Sequence, residues 1–165
     1  MPRVILSILD VGHGNSTVLT DTQGVVVIDA GPGSSLLEFL AQEGIREIEV
    51  LLISHADKDH IEGIISVLES NTVQVHAVQL NTDSQKRSKL WDDLTYQLNQ
   101  EAQIANVHFE VGLTSQDTGR FDRGLVHIEV LAKPVLGRKR SREQGPKETT
   151  FNYTFGERCH SVVDK

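Results

Sequence analysis

Two histidines and two aspartates lie within six residues, directly after an apolar run, at His55, Asp57, Asp59 and His60. The run Val50–Ile53 predicts a buried strand, so we expect these side chains at its carboxyl end, where open α/β sheets place their sites. Imidazole nitrogens and carboxylate oxygens are ligands of Zn²⁺, and a catalytic zinc site keeps one position for water. A bound metal lowers the pKa of that water to about 7 and so supplies hydroxide at neutral pH.

The spacing of these four side chains favours two neighbouring ligand positions. His55 and Asp57 are two residues apart and can point the same way from an extended segment, whereas Asp59 and His60 turn toward a second position. Alternatively, Asp57 or Asp59 caps the following helix, although a cap does not require both histidines. We therefore predict one or two bound ions, either Zn²⁺ or, because carboxylates also suit it, Mn²⁺.

Two turns that contain glycine precede this cluster. Asp29 ends the strand pattern of residues 25–28, and it either supports the metal loop from behind or hydrogen-bonds its own turn. In the earlier loop, residues 10–16, backbone N–H groups beside the glycines can face an anion. His13 or Asn15 can contact a substrate there, although a tight turn between two strands has the same pattern.

The remaining histidines are weaker candidates. His76, His108 and His127 each lie in a strand-like segment, where a single histidine is usually partly buried and hydrogen-bonded. Cys159 and His160 form a ligand-type pair near the end of the chain, which we interpret as incidental.

Strand and helix patterns alternate along the chain and predict an α/β fold. The predicted strands cover residues 4–9, 16–20, 25–28, 48–53, 73–80, 107–111 and 125–131. The predicted helices cover residues 36–41, 61–68 and 83–102. Phe151, Tyr153 and Phe155 alternate with polar residues and predict one further short strand.

The charge of the chain is uneven. Residues 1–132 carry 8 basic and 19 acidic side chains, whereas residues 133–165 carry 8 basic and 4 acidic ones, for a total net charge of −7. We therefore predict a domain over residues 1–132 and a basic, disordered tail over residues 133–165. The acidic balance argues against a surface that binds nucleic acid throughout, but the run 138–142 can contact phosphates.

Cys159 is the only cysteine, so no internal disulfide can form, and a reducing compartment is expected. No signal-peptide pattern and no apolar stretch of about 18 residues, the length of a membrane helix, occurs in the sequence. We expect a cytoplasmic location.

Three segments together resemble the opening motifs of the metallo-β-lactamase superfamily. They are residues 10–16 (DVGHGNS), 27–31 (VIDAG) and 54–63 (SHADKDHIEG). The resemblance is greatest to the branch found as a domain of bacterial DNA-uptake competence proteins and to its stand-alone relatives. It covers about the first 70 residues strongly, and residues 71–132 in the order of strands and helices only.

The resemblance implies an α/β/β/α sandwich with a one- or two-metal site at one edge, which hydrolyses substrates by metal-activated hydroxide. His55 and Asp57 would then serve the first metal, and Asp59 and His60 the second, with the latter pair as catalytic residues. Asp29 matches an early aspartate at a strand end that supports the site. The implied substrates are phosphodiesters, either small molecules or nucleic acid.

The later motifs of the family are missing. The sequence has neither a Gly-Asp pair nor a His-His-Gly element, so we expect the first half of the fold plus part of the second. A second copy of the chain or a complementing fragment would then complete it. Two other functions remain open: a non-catalytic metal-binding or regulatory module of the same fold, and a nucleic-acid-binding protein that uses its basic tail.

Overall fold

The computed structural model describes residues 3–81, 88–104 and 107–131, and the backbone of residues 150–155. Its strands are β1 (Ile5–Ile8), β2 (Ser16–Asp21), β3 (Gly24–Ala30), β4 (Glu47–Ile48), β5 (Val50–Ile53), β6 (Gln74–Val75), β7 (Ala77–Asn81), β8 (His108–Leu113), β9 (Val126–Leu131) and β10 (Thr150–Phe155). The central sheet has six strands in the order β1-β2-β3-β5-β7-β8. The pairs β1–β2 and β2–β3 are antiparallel, and the pairs from β3 through β5 and β7 to β8 are parallel.

Three helices cover one face of this sheet: α1 (Ser35–Gln42), α2 (Lys58–Glu69) and α3 (Lys89–Ile104). Side chains alternate between the two faces of a strand, so Val27 and Ile53 point toward the helices. There they pack in one apolar cluster with Leu40 of α1, Ile64 of α2 and Leu98 of α3, all of them buried. The nearly continuous apolar runs of the parallel strands predict a sheet that is buried on both faces, and the helices bury one of them.

A second, two-stranded sheet covers the opposite face. Ile28 and Leu52 point to that side and pack with Ile128 and Val130 of β9 in a separate apolar cluster. β10 pairs antiparallel with β9. In the described residues the layers are therefore helices, a six-stranded sheet and a two-stranded sheet, which confirms the predicted α/β architecture.

Two strands predicted as continuous are each divided in the structure. The segment 48–53 is interrupted by a bend at Glu49, and the segment 73–80 is interrupted at His76. β4 and β6 pair with each other in a small parallel sheet. At Glu49 the chain changes hydrogen-bond partner, because its N–H donates to the carbonyl of Val25 in β3. Neither interruption is marked by a hydrophobic pattern in the sequence.

The other predicted elements are present, with ends that differ by a few residues. The helix predicted at 83–102 runs from Lys89 to Ile104, and residues 82–87 lie outside the described part of the chain. The short strand predicted around Tyr153 is β10. The rest of the predicted tail, including Cys159 and His160, also lies outside the described residues. No helix within the described ranges is long and apolar enough to span a membrane.

The parallel strands bring three polar residues to one edge of the central sheet. Asp29 is the next-to-last residue of β3, Ser54 follows β5, and Asn81 ends β7. Helix α2 lies close to this edge, because a Cβ at Gly63 would come within 2.6 Å of the carbonyl oxygen of Gly31. The start of α2, which carries the predicted ligands, is therefore held against the end of β3.

Candidate metal centre

Asp29 is a buried carboxylate that joins the ends of two strands and the start of a helix. It is 1% exposed. Its Oδ1 accepts a hydrogen bond from the backbone N–H of Ser54 at 2.8 Å, and its Oδ2 accepts from Ser54 Oγ at 2.7 Å and from His60 Nδ1 at 2.8 Å. Its φ of 56° lies in the left-handed region, which Asp tolerates better than most residues. Asp29 therefore bonds across the site rather than to its own turn.

The hydrogen bond to Asp29 determines which nitrogen of His60 is available. A carboxylate can only accept, so Nδ1 carries the proton and Nε2 is left to bind a cation. Burial, the largest influence, lowers the pKa of His60, but the hydrogen bond to Asp29 and the negative charges of Asp29, Asp59 and Asp57 together raise it above the ordinary 6.5. The surroundings thus favour positive charge at this point.

His55 follows β5 and lies against His60. It is 7% exposed, and the centroids of the two imidazole rings are 3.8 Å apart. Its Nε2 is 3.1 Å from Oδ2 of Asp57. Asp57 occupies the N-cap position of α2, but its side chain makes no capping hydrogen bond. The alternative in which Asp57 caps the helix is therefore not realised, and Asp59 lies within the first turn rather than at the cap.

His55, Asp59 and His60, hereafter the histidine cluster, each offer a ligand atom within 4.8 Å of those of the other two. Two imidazoles and one carboxylate that leave a fourth position for water match the donor set of a catalytic zinc site. The residues therefore fit one divalent cation. Asp57 contacts His55 beside this group, and Asp59 Oδ2 is 3.8 Å from His60 Nε2.

Ser54 and Asn81 contribute contacts that sequence reasoning missed. Ser54 Oγ lies 3.3 Å from Nδ1 of His55 and 3.1 Å from Nδ1 of His60, in addition to its bond to Asp29. The side-chain amide of Asn81 donates to the carbonyl of Ser54 at 2.8 Å. The only signal in the sequence is position: each is a polar residue at the end of an apolar strand pattern.

A model of the metallo-β-lactamase superfamily matches residues 9–135, which include every residue of this site. The chain belongs to the metallo-β-lactamase superfamily. A comparison with curated protein sequences finds no match.

Solved structures agree with the superfamily fold. A beta-lactamase from Chitinophaga pinensis is 16% identical with a TM-score of 0.53, and the match covers 87% of this chain and 52% of that one. The metallo-beta-lactamase fold protein YhfI from Bacillus subtilis is 14% identical with a TM-score of 0.50, and the match covers 86% and 50%. At these identities the likeness concerns the fold alone. This chain spans about half the length of the structures it matches.

The loop of residues 10–16, hereafter the glycine loop, packs against the histidine cluster. A Cβ at Gly14 would collide with the backbone carbonyl of Asp59, so only glycine permits this approach. Asn15 donates from Nδ2 to Oδ2 of Asp29 at 3.3 Å and accepts from the hydroxyl of Thr17 at 3.3 Å. His13 is exposed. The predicted substrate contacts of His13 and Asn15 remain predictions, and the Asn15 amide already contributes to the hydrogen bonds around Asp29.

The other histidines of the described residues lie apart from this centre, each beside a carboxylate. His108 Nε2 is 2.9 Å from Glu110, and His127 Nδ1 is 2.8 Å from Asp122, and all four side chains are exposed. His76 Nε2 is 3.6 Å from Glu47. His108 and His127 are more exposed than expected for single strand histidines, whereas His76 is partly buried as expected. Glu47, Glu49 and His76, hereafter the surface cluster, also offer ligand atoms within 4.8 Å of one another.

Proposed function

We propose that this chain is a metal-dependent hydrolase that acts on phosphodiesters through a metal-activated hydroxide. The observation that carries the proposal is the partly buried hydrogen bond from His60 Nδ1 to Asp29, at 2.8 Å, beside His55 and Asp59. Metal-ligating histidines almost always donate their other ring N–H to such a carboxylate or carbonyl partner, which orients the ring. A histidine that only filled space would not need it.

We propose Zn²⁺ as the ion, with Mn²⁺ as the alternative. His55, Asp59 and His60 supply three ligands, which is the protein share of a catalytic zinc site. Asp57 contacts His55 at 3.1 Å and would join it if a second ion binds. A two-ion site needs further ligands, which we propose come from a second copy of the chain or a complementing fragment.

When bound, the ion lowers the pKa of its water and polarises a phosphoryl oxygen. The side chains of Asp29 and Asp59 contribute to this step by orienting a ligand and by accepting a hydrogen bond. Asp29 keeps the proton on Nδ1 of His60, so Nε2 faces the site. The side chain of Asp59 is 45% exposed, so one of its oxygens can accept a hydrogen bond from an incoming water or nucleophile. We assign the catalytic roles to Asp59 and His60 on these grounds.

We propose phosphodiesters as substrates, with nucleic acid among them, and the DNA-uptake branch of the superfamily as the nearest relatives. The motifs at residues 10–16 and 54–63 support this branch. His13 and Asn15 lie in the glycine loop beside Asp59 and are proposed to contact the substrate. The single cysteine, which can form no disulfide within the chain, supports the proposed cytoplasmic location.

The test is hydrolysis of bis(p-nitrophenyl) phosphate by protein loaded with Zn²⁺ or Mn²⁺. We expect turnover by the wild type, its loss in His60→Ala, and no change in His76→Ala, which removes a partly buried histidine outside the site. Metal binding without turnover would favour the non-catalytic module instead. Salt-sensitive binding of nucleic acid that disappears on deletion of residues 133–148 would favour the nucleic-acid-binding alternative.

A further inference from the structure

A buried amide from the neighbouring strand holds the peptide that precedes the first histidine of the metal centre. Asn81 Nδ2 donates to the carbonyl oxygen of Ser54 at 2.8 Å, and the two residues are 5% and 7% exposed. The parallel pairing of β5 with β7 has its last matched residues at Ile53 and Leu80. The side chain of Asn81 therefore continues the link between these strands one residue beyond the backbone ladder.

The backbone around Asn81 is itself irregular. The register of β7 against β8 shifts between Leu80 and Asn81, and Asn81 pairs with Leu113. The backbone of Asn81 thus follows β8 on one side while its amide reaches back to the end of β5 on the other. This arrangement connects three strands at the edge of the sheet that carries the metal centre.

Ser54 is then held through three of its polar groups. Its N–H and its hydroxyl bond to Asp29, and its carbonyl accepts from Asn81. The bonds to Asp29 hold the peptide before Ser54 and its side chain, whereas the bond from Asn81 holds the carbonyl of the peptide between Ser54 and His55. The plane of that second peptide influences the direction in which the His55 side chain leaves the backbone, and in this set of bonds Asn81 is the residue that holds it.

We infer that Asn81 is a positioning residue of the metal centre, which acts on His55 through the carbonyl of Ser54. The inference depends on the proposed function, because it concerns metal held by the histidine cluster. Without the amide, the buried carbonyl of Ser54 loses its partner and the loop that carries His55 can rotate. Outer partners of this kind typically contribute about 10- to 100-fold to metal affinity.

The experiment is a titration with Co²⁺, followed by its visible absorption, of Asn81→Leu and of a matched control, Gln79→Leu. Gln79 is a buried amide in the same strand, 3% exposed, and it hydrogen-bonds Glu110 outside the metal centre. His60→Ala defines the signal of the site. We expect Asn81→Leu to bind Co²⁺ about tenfold more weakly, with shifted absorption bands, and Gln79→Leu to bind like the wild type at a similar loss of Tm.

Equal affinity and spectra in Asn81→Leu and wild type would overturn the inference and leave the proposed function intact. An equal loss in Gln79→Leu would also overturn it, because the effect would then be one of general stability. If the wild type itself shows no Co²⁺ bands, the proposed function fails and the inference with it. Should Asn81→Leu not fold, Asn81→Ala removes the donor without adding volume, and an affinity equal to that of the wild type would overturn the positioning role.

Discussion

Two clusters in the described residues each bring three potential metal-ligand atoms close together, but the two clusters differ in their burial and hydrogen bonding. The histidine cluster and the surface cluster both meet the 4.8 Å spacing. Behind the first lies Asp29, which is 1% exposed and hydrogen-bonds both Ser54 and His60. In the second, Glu47 is 66% exposed and lies 3.6 Å from His76.

The comparison shows that proximity alone does not distinguish a metal site. An exposed carboxylate and imidazole lose side-chain entropy when they are held together, and water screens their charges, so such pairs contribute little. Histidine ligands whose second ring nitrogen is already hydrogen-bonded, as in His55 and His60, lose less side-chain entropy when a metal binds, because their orientation is set in advance. We therefore expect the histidine cluster to bind a metal ion more tightly than the surface cluster.

The largest predicted effect is loss of metal from the histidine cluster. His60→Ala should weaken Zn²⁺ binding by more than about 100-fold, the upper end of what loss of an outer partner costs, because a ligand is removed outright. His76→Ala should leave the tight site unchanged. Isothermal titration with Zn²⁺ measures both. Equal losses in the two variants would mean that the two clusters do not differ as the structure suggests.

The second largest predicted effect follows from a substitution that changes the hydrogen-bond acceptor of His60 but keeps all three ligands. Asp29→Asn retains a residue that tolerates the positive φ of 56° but replaces the charged acceptor of the His60 proton. Zn²⁺ affinity should fall about 10- to 100-fold. Glu47→Gln in the surface cluster is the matched control, and its affinity should equal that of the wild type. An unchanged Zn²⁺ affinity in Asp29→Asn would show that the charged hydrogen-bond acceptor behind His60 does not contribute to metal binding.

Much of the fold could be predicted because hydrophobic periodicity is local. The β-branched run in β3, and the helical spacing of Ile61, Ile64 and Leu68, are properties of neighbouring residues, so they identify each element. The interruptions at Glu49 and His76 could not be predicted. They arise because β4 and β6 pair with each other rather than with the central sheet, and that choice is made over a long sequence separation.

The ligands were easier to identify than the residues that hold them. His55, Asp57, Asp59 and His60 are contiguous and of unusual composition, so they stand out. The contacts of Asp29 with Ser54 and His60 span 25 and 31 residues, and that of Asn81 with Ser54 spans 27. Such contacts follow from the parallel strand order, which brings the ends of β3, β5 and β7 together, and one sequence does not reveal that order.

A smaller effect tests whether helix α2 must lie against the end of β3. Gly63→Ala would raise helix propensity by about 1 kcal/mol but would place a Cβ within 2.6 Å of the Gly31 carbonyl, and overpacking costs about 1–3 kcal/mol. We expect a net loss of about 1 kcal/mol, seen as a fall in Tm of about 3 °C, with weaker Zn²⁺ binding. Ser66→Ala in the same helix is the control and should lower neither. A rise in the Tm of Gly63→Ala would show that α2 can move without cost.

The smallest effect concerns an exposed pair comparable with that in the surface cluster. The hydrogen bonds from His108 and Arg120 lower the pKa of Glu110 to about 2. A depressed pKa means that the folded state prefers the charged carboxylate, so this contribution is present above the ordinary 4.5 and is lost as the pH falls from there through about 2. Because Glu110 is exposed, solvent screening limits the contribution to less than about 1 kcal/mol.

The Tm difference between wild type and Glu110→Gln should therefore be small at pH 5, shrink further toward pH 2, and decrease at pH 5 when salt is added. A large difference that salt does not reduce would contradict the view that exposed carboxylate–histidine contacts in this protein are weak, and with it the reason for ranking the surface cluster below the histidine cluster.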